Sequence, residues 1–140
     1  MNIIPQRGEI WVVSLDPTKG SEIKKTRPCL VLSRDDYNRV ANTITIIPLT
    51  SGKVRYPTWE VEVSEASGLN ALSHLVLPQI RIASKQRLKK RIGKISPTHF
   101  REIEEKLLFY LGFDNYFRGF GSGSVTIQGG TWTGGGALML

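Results

Sequence analysis

The apolar positions of this chain fall into short runs punctuated by Gly, Pro, Asn and Ser, a pattern of strands with few helices. Glu9 to Leu15 mixes Ile, Trp and Val in a run too short for a helix and rich in β-formers. Asp16-Pro17 ends it, because proline cannot donate to a ladder. A polar loop, Thr18 to Thr26, leads through Arg27-Pro28 into a second apolar strand, Cys29 to Ser33. Tyr37 and Val40, three apart, predict a short helical turn within Arg34 to Ala41. Thr43 to Leu49 is a β-branched strand whose Pro48 points to an edge or bulge. Ser51, Gly52 and Lys53 make a turn. Trp59 to Val63 alternates, with Trp59, Val61 and Val63 inward and Glu60 and Glu62 outward. Glu65 to Ser73 reads as a loop, His74 to Ile82 as a strand, Lys85 to Arg91 as a helical turn, and Ile92 to Ile95 as an extended piece. Ser96-Pro97 opens the one long helix, a serine cap with proline in the first turn. Phe100, Ile103, Leu107 and Leu111 form its apolar stripe, and Gly112 its stop. Five or so antiparallel strands, short helical insertions and a closing helix predict a mainly β fold, a small, partly open barrel with a C-terminal helix.

Length and composition fit this picture. The 140 residues suit one domain, and 40% hydrophobic with 22% charged residues is the balance of a soluble globular protein. Beyond Tyr116 the character changes: from Gly119 to Leu140 there are eight glycines and no charged residue. Residues 1–116 are therefore expected to hold the functional domain. Residues 117–140 read as a flexible extension or one added for expression, with VTI at 125–127 and LML at 138–140 able to pair. No run approaches the ~20 apolar residues of a membrane helix, and MNIIPQRGE lacks a signal-peptide layout, so the expected location is cytoplasmic, with no membrane partner. The lone Cys29, inside an apolar strand, reads as a core residue rather than a reactive thiol.

Charge adds a partner. The net charge is +7, and Arg81 to Lys94 holds seven cations with no acid. A solvated face interleaves signs, so a one-signed block asks for phosphates or an acidic protein. The loop cations Lys19, Lys24 and Lys25 leave two readings open, a grip on a polyanion or an ordinary solvated loop. Two histidines and one cysteine give no zinc spacing, and no Gly-rich turn joins a strand to a helix, so no metal or other cofactor is expected. His74 and His99 read either as an acid–base pair or as structural residues, and their positions favour the second.

What remains is Arg27 at one strand's entrance and the hydroxyl pair Thr50-Ser51 at another's exit. If strands 29–33 and 43–49 are neighbours, these ends share a rim. RNA carries its own nucleophile, the 2′-OH, so a protein need only align it and stabilise charge on the phosphate oxygens. A guanidinium gives planar donors that stay charged, and a threonine hydroxyl adds one more hydrogen bond. The competing reading pairs Arg27 with Glu22 and makes Thr50 a turn residue.

RGEIWVVSLDPTKGSE, KTRPCLVLS, the strand ending IPLTS, and PQIRIASKQRL follow the order and spacing of the MazF/PemK (Kid) toxins, ribosome-independent mRNA interferases that this chain resembles from about Arg7 to Leu111. The resemblance implies a PemK-like, SH3-like antiparallel β-barrel working as a homodimer. It also implies metal-independent cleavage of single-stranded RNA at a short preferred sequence, leaving a 2′,3′-cyclic phosphate and a 5′-hydroxyl. A cognate antitoxin would block the groove. Arg27 matches the family's catalytic arginine, which would stabilise the transition state and protonate the leaving oxygen, and Thr50 the threonine that holds the scissile phosphate. Glu22 and Gln79 resemble RNA-positioning rim residues, joined by Ser21 and Arg81, with Lys24, Lys25 and Ser51 as further RNA contacts. The chain departs from the Kid branch at Ser21, where that branch has histidine, and at Val76 and Pro78, in place of its arginine and aspartate. Two other readings stay open, a gyrase poison of the CcdB type and a noncatalytic RNA-binding barrel.

Overall fold

In the computed structural model, residues 4–64 and 67–113 are described in full, together with the backbone of three short strands beyond them. The chain divides into two units, residues 1–100 and 101–140. The first contains seven strands: β1 (Glu9–Ser14), β2 (Thr26–Val31), β3 (Thr43–Ser51), β4 (Glu60–Val63), β5 (Ser73–Val76), β6 (Arg81–Ser84) and β7 (Leu88–Lys94). Helix α1 (Asp35–Val40) links β2 to β3, and α2 (Pro97–Tyr110) runs from the end of the first unit into the second. The pairing is antiparallel throughout, in the order β4-β5-β3-β2-β1-β7, with β6 also paired to β3 along Thr43–Ile46. The fold is the expected mainly β architecture with a C-terminal helix.

Strand β3 is the hub. Its first half pairs with β6 and β2, and its last three residues with β5, Thr50 standing opposite His74. Pro48 lies where the partner changes. Having no N–H, it lets one ladder end and another begin without orphaning a donor. The strand thus runs two residues past its expected end at Leu49, and Gly52, at φ +107°, makes the turn.

The core follows from alternation. Val13, Leu15, Cys29, Val31, Ile44, Ile46, Ala83 and Leu88 form one buried cluster, with Trp11 and Ile23 against it. Burial pushes the Cys29 thiol up to about 12, which agrees with a packing role. In α1 the buried side chain is Asn38, not the Tyr37–Val40 pair: it exchanges hydrogen bonds with Ser33, donating to the Ser33 carbonyl at 2.8 Å and accepting from its hydroxyl at 2.6 Å. Helix α2 begins as expected, the Ser96 hydroxyl accepting from the His99 N–H at 3.2 Å. Phe100 and Ile103 are buried, whereas Leu111 at its far end is exposed.

Three stretches differ from expectation. His74–Ile82 is not one strand: Pro78 interrupts pairing, and Leu77–Gln79 folds as a 3-10 turn between β5 and β6. The basic block is mostly strand, because only Lys85–Arg87 turns: Arg81 lies in β6 beside β3, and β7 runs along β1 with two register shifts. Lysines on this edge strand also discourage pairing with another chain. Trp59 precedes β4, in a turn where the Trp59 and Glu60 N–H groups donate to the Tyr56 carbonyl, so the alternation does not reach it; Trp59 is exposed and Glu60 is 92% buried. Beyond the helix, Thr126–Gln128, Thr131–Thr133 and Leu138–Met139 pair antiparallel with one another. The rest of 117–140, and the expected boundary at 116, lie outside the described residues.

Candidate nucleic-acid interface

The β2–β3 register places Cys29 opposite Pro48 and Leu30 opposite Ile47. Carried two residues further, it sets Arg27 against Thr50. The side chains do meet: the Arg27 guanidinium Nη1 donates to Thr50 Oγ1 at 3.4 Å. The Arg27 Nε–H donates to the Lys24 carbonyl at 3.1 Å, which fixes the fork while leaving its other edge open. Lys25, at φ +70°, tightens this end of the loop, its N–H donating to Asp16 Oδ1 and its carbonyl accepting from the Leu15 N–H. The Arg27–Glu22 ion pair is not formed. The Glu22 carboxylate instead accepts from the Lys19 N–H at 2.7 Å, bracing the loop from within.

Arg27 and Thr50 form the wall of a cavity of about 690 Å³ that also takes in Ser51, Asn70, Lys90 and Arg91. A second, of about 540 Å³, shares Thr50 and Ser51 with the first and is lined by Arg55, Tyr56, Glu60, His74 and Gln79. A third, of about 480 Å³, shares Gln79 with the second and holds Ser21, Glu22 and Arg81. The shared residues set the three cavities side by side as a track, an arrangement that suits a single strand. It gathers Arg27, Thr50, Ser51, Ser21, Glu22, Gln79 and Arg81. Lys24 and Lys25 are exposed in the loop above and line none of the three cavities.

Several of these groups have structural duties. The Gln79 amide accepts from the Ile23 N–H at 3.2 Å and donates to the Ser21 carbonyl at 3.4 Å, tying the β1–β2 loop to the turn after β5. Arg81 donates to the Leu15 carbonyl at 3.4 Å, and Arg87 to the carbonyls of Ser14 and Asp16. Arg91 pairs with Glu9 at 2.6 Å. Burial would raise the Glu9 pKa, but hydrogen bonds from the Gln6 N–H, the Trp11 indole and Arg91 outweigh it and hold the carboxylate below its usual range. So the arginines of the basic block are committed to the fold, and its free charge lies on Lys85, Lys89, Lys90 and Lys94.

Sequence reasoning did not place Lys90, Arg91, Glu60 or His74 in the cavities beside Arg27 and Thr50, and weighed His74 only as a partner of His99. The first two lay in plain view within the basic block but needed the β1–β7 pairing to reach Arg27. Glu60 was hidden by a misleading alternation. Among the described residues no three His, Cys, Asp or Glu side chains converge in a way that could hold a metal ion, and no helix is long and apolar enough to cross a membrane.

A small antiparallel β-fold whose paired guanidinium and hydroxyl open onto a cationic track belongs, by its chemistry, to the proteins that handle phosphodiesters. Comparison with known proteins is more specific. The chain belongs to the PemK-like, MazF-like toxins of type II toxin–antitoxin systems, whose family pattern matches residues 6–111. It is 35% identical over 112 residues to Endoribonuclease MazF9 of Mycobacterium tuberculosis, covering 76% of this chain and 95% of that one. A crystal structure of MazF from Deinococcus radiodurans superposes with a TM-score of 0.70 at 26% identity, over 79% of this chain and 99% of that one. An endoribonuclease from a mycobacterial species, solved in complex with its cognate antitoxin, shares the fold with a TM-score of 0.65 at 22% identity, over 77% and 95% of the two chains.

Proposed function

We propose that this chain, a MazF-type endoribonuclease toxin, cuts single-stranded mRNA at a short preferred sequence without ribosomes and without a metal ion. The 2′-OH of one nucleotide attacks the adjoining phosphorus and the P–O5′ bond breaks. The products are a 2′,3′-cyclic phosphate and a 5′-hydroxyl; one proton leaves the 2′-oxygen and one arrives at the 5′-oxygen. Arg27 stabilises the charge that grows on the phosphate oxygens and serves the leaving oxygen, and Thr50 holds the phosphate in line. Ser51, Ser21, Glu22, Gln79 and Arg81 position the strand, while Lys24 and Lys25 add long-range attraction.

One observation carries this reading: the Arg27–Thr50 contact at 3.4 Å, at the wall of a cavity that also holds Lys90 and Arg91. The working unit is a homodimer in the cytoplasm, and a cognate antitoxin restrains it by covering the track. Incubating purified protein with a single-stranded RNA library in EDTA, without ribosomes, and identifying the ends tests the proposal. Cyclic phosphate ends support it; binding without scission would leave a noncatalytic RNA-binding barrel, and neither binding nor scission would favour a protein-poisoning role.

A further inference from the structure

The middle cavity of the track holds a buried carboxylate and imidazole that the chemistry above does not use. Glu60 and His74 are 8% and 7% exposed, on neighbouring strands β4 and β5. Glu60 Oε1 accepts from the N–H groups of Arg55 at 2.8 Å and Tyr56 at 3.2 Å, and lies 3.7 Å from His74 Nε2. Its other oxygen, Oε2, has no partner among the described residues. His74 Nδ1 is 2.9 Å from the Gly52 carbonyl. A carbonyl only accepts, so Nδ1 carries a proton and Nε2 is the ring nitrogen left to face Glu60 and the cavity. Burial opposes the charge on Glu60, but the two backbone donors and His74 prevail, keeping it below the usual carboxylate range and therefore an acceptor only.

A largely buried carboxylate with one oxygen unused, lining a cavity of about 540 Å³, suits a ligand that brings N–H donors. The volume is that of a small-molecule site. Tyr56 at its edge is 58% exposed, a free aromatic face of the kind on which unpaired bases stack. Because the cavity shares Thr50 and Ser51 with the one holding Arg27, its occupant neighbours the scissile phosphate.

We propose that this cavity receives the base of a nucleotide flanking the cut, and that Glu60, with His74 beside it, selects a base bearing an exocyclic amine over uracil. This rests on the single-strand RNA reading above. The amine donates to Glu60 Oε2, and Tyr56 covers the face. Uracil offers two carbonyls around a single N–H, and a carbonyl set against Glu60 repels it.

The test compares the whole chain with its Glu60→Gln variant on a randomised single-stranded RNA library, sequencing the 5′-hydroxyl ends. The glutamine oxygen can still accept from Arg55 and Tyr56, while its amide replaces an acceptor with a donor. The parent enzyme is expected to enrich amine-bearing bases at one position beside the cut. Glu60→Gln is expected to lower that preference roughly tenfold or reverse it towards uracil there, and to leave other positions unchanged. Tyr56→Ala, which keeps the backbone N–H that Glu60 accepts, is expected to weaken use of every base at that position without reordering them. Unchanged base preference in a folded Glu60→Gln protein overturns the proposal. Binding of 2′-O-methyl oligonucleotides with cytosine or uracil at that position separates the two readings. Selective binding with no cleavage of the unmodified RNA keeps the pocket and removes the nuclease; cleavage with equal binding of both does the reverse.

Discussion

Replacing Arg27 by alanine isolates the group on which the proposed chemistry turns. The side chain is half-buried and makes two hydrogen bonds, one of 3.1 Å to the Lys24 carbonyl and one of 3.4 Å to Thr50. Neither leaves a deeply buried group unpaired when removed, so the loss to folding is about 1 kcal/mol, and the melting temperature falls by only a few degrees. Catalysis is affected differently. A preorganised donor aimed at developing phosphate charge is worth ~2–4 kcal/mol of barrier, which is a loss of roughly thirty- to thousandfold in rate. Arg27→Lys should recover only part of this, because it keeps the charge but loses the planar fork and the Nε tether. The assay is single-turnover cleavage of a fixed oligonucleotide, alongside circular dichroism and thermal melting of each variant. A folded Arg27→Ala protein as active as its parent would refute the reasoning, as would an Arg27→Lys protein with full activity.

Three further outcomes are expected. Thr50→Ala should slow cleavage by about fivefold, less than Arg27→Ala, since a neutral hydrogen bond contributes about 1 kcal/mol; the same oligonucleotide assay measures it. Replacing Lys89 and Lys90 by glutamine should reduce the slope of log affinity against log salt by roughly 0.7 for each lysine that meets a phosphate, and an unchanged slope in a filter-binding titration would place the RNA elsewhere. The lowered pKa of Glu9 stabilises the fold at pH values above the ordinary carboxylate range near ~4.3 and is lost as pH falls through its depressed folded value. Urea midpoints from pH 7 down to pH 3 should therefore fall more steeply for the parent than for Glu9→Gln, and parallel curves would contradict the sign.

Strands and hairpin ends were legible wherever local chemistry decided them. The run EIWVVS, the apolar CLV and the β-branched TITII form strands for the reasons their composition suggests, and Ser96-Pro97 starts the helix as a cap should. Arg27 and Thr50 could be set on one rim from sequence because each flanks an apolar run, and the family resemblance supplied their expected roles; the strands in fact extend through both, β2 from Thr26 and β3 to Ser51. What stayed hidden depends on register. WEVEV reads as a plain amphipathic strand, yet its first Glu is buried because a turn at Arg55–Tyr56 supplies two donors that no periodicity encodes. The basic block likewise read as seven equivalent cations, although backbone carbonyls and Glu9 claim its arginines and leave the lysines outward.

The change of partner along β3 explains why so much of the site converges on one residue. Up to Pro48 the strand is joined to β2, and this pairing sets Thr50 against Arg27; from Leu49 it is joined to β5, which sets Thr50 against His74. One side chain therefore borders both the cavity proposed for the reacting phosphate and the one proposed for the flanking base. Arg27 borders only the first. The two substitutions should then differ in kind as well as degree. Arg27→Ala should slow cutting at every sequence by the same factor. Thr50→Ala should slow cutting and also blunt base preference beside the cut, because phosphate and base lose their common post. If both variants retain the parent's sequence preference unchanged, the two cavities act independently, and the shared wall is only a consequence of strand geometry.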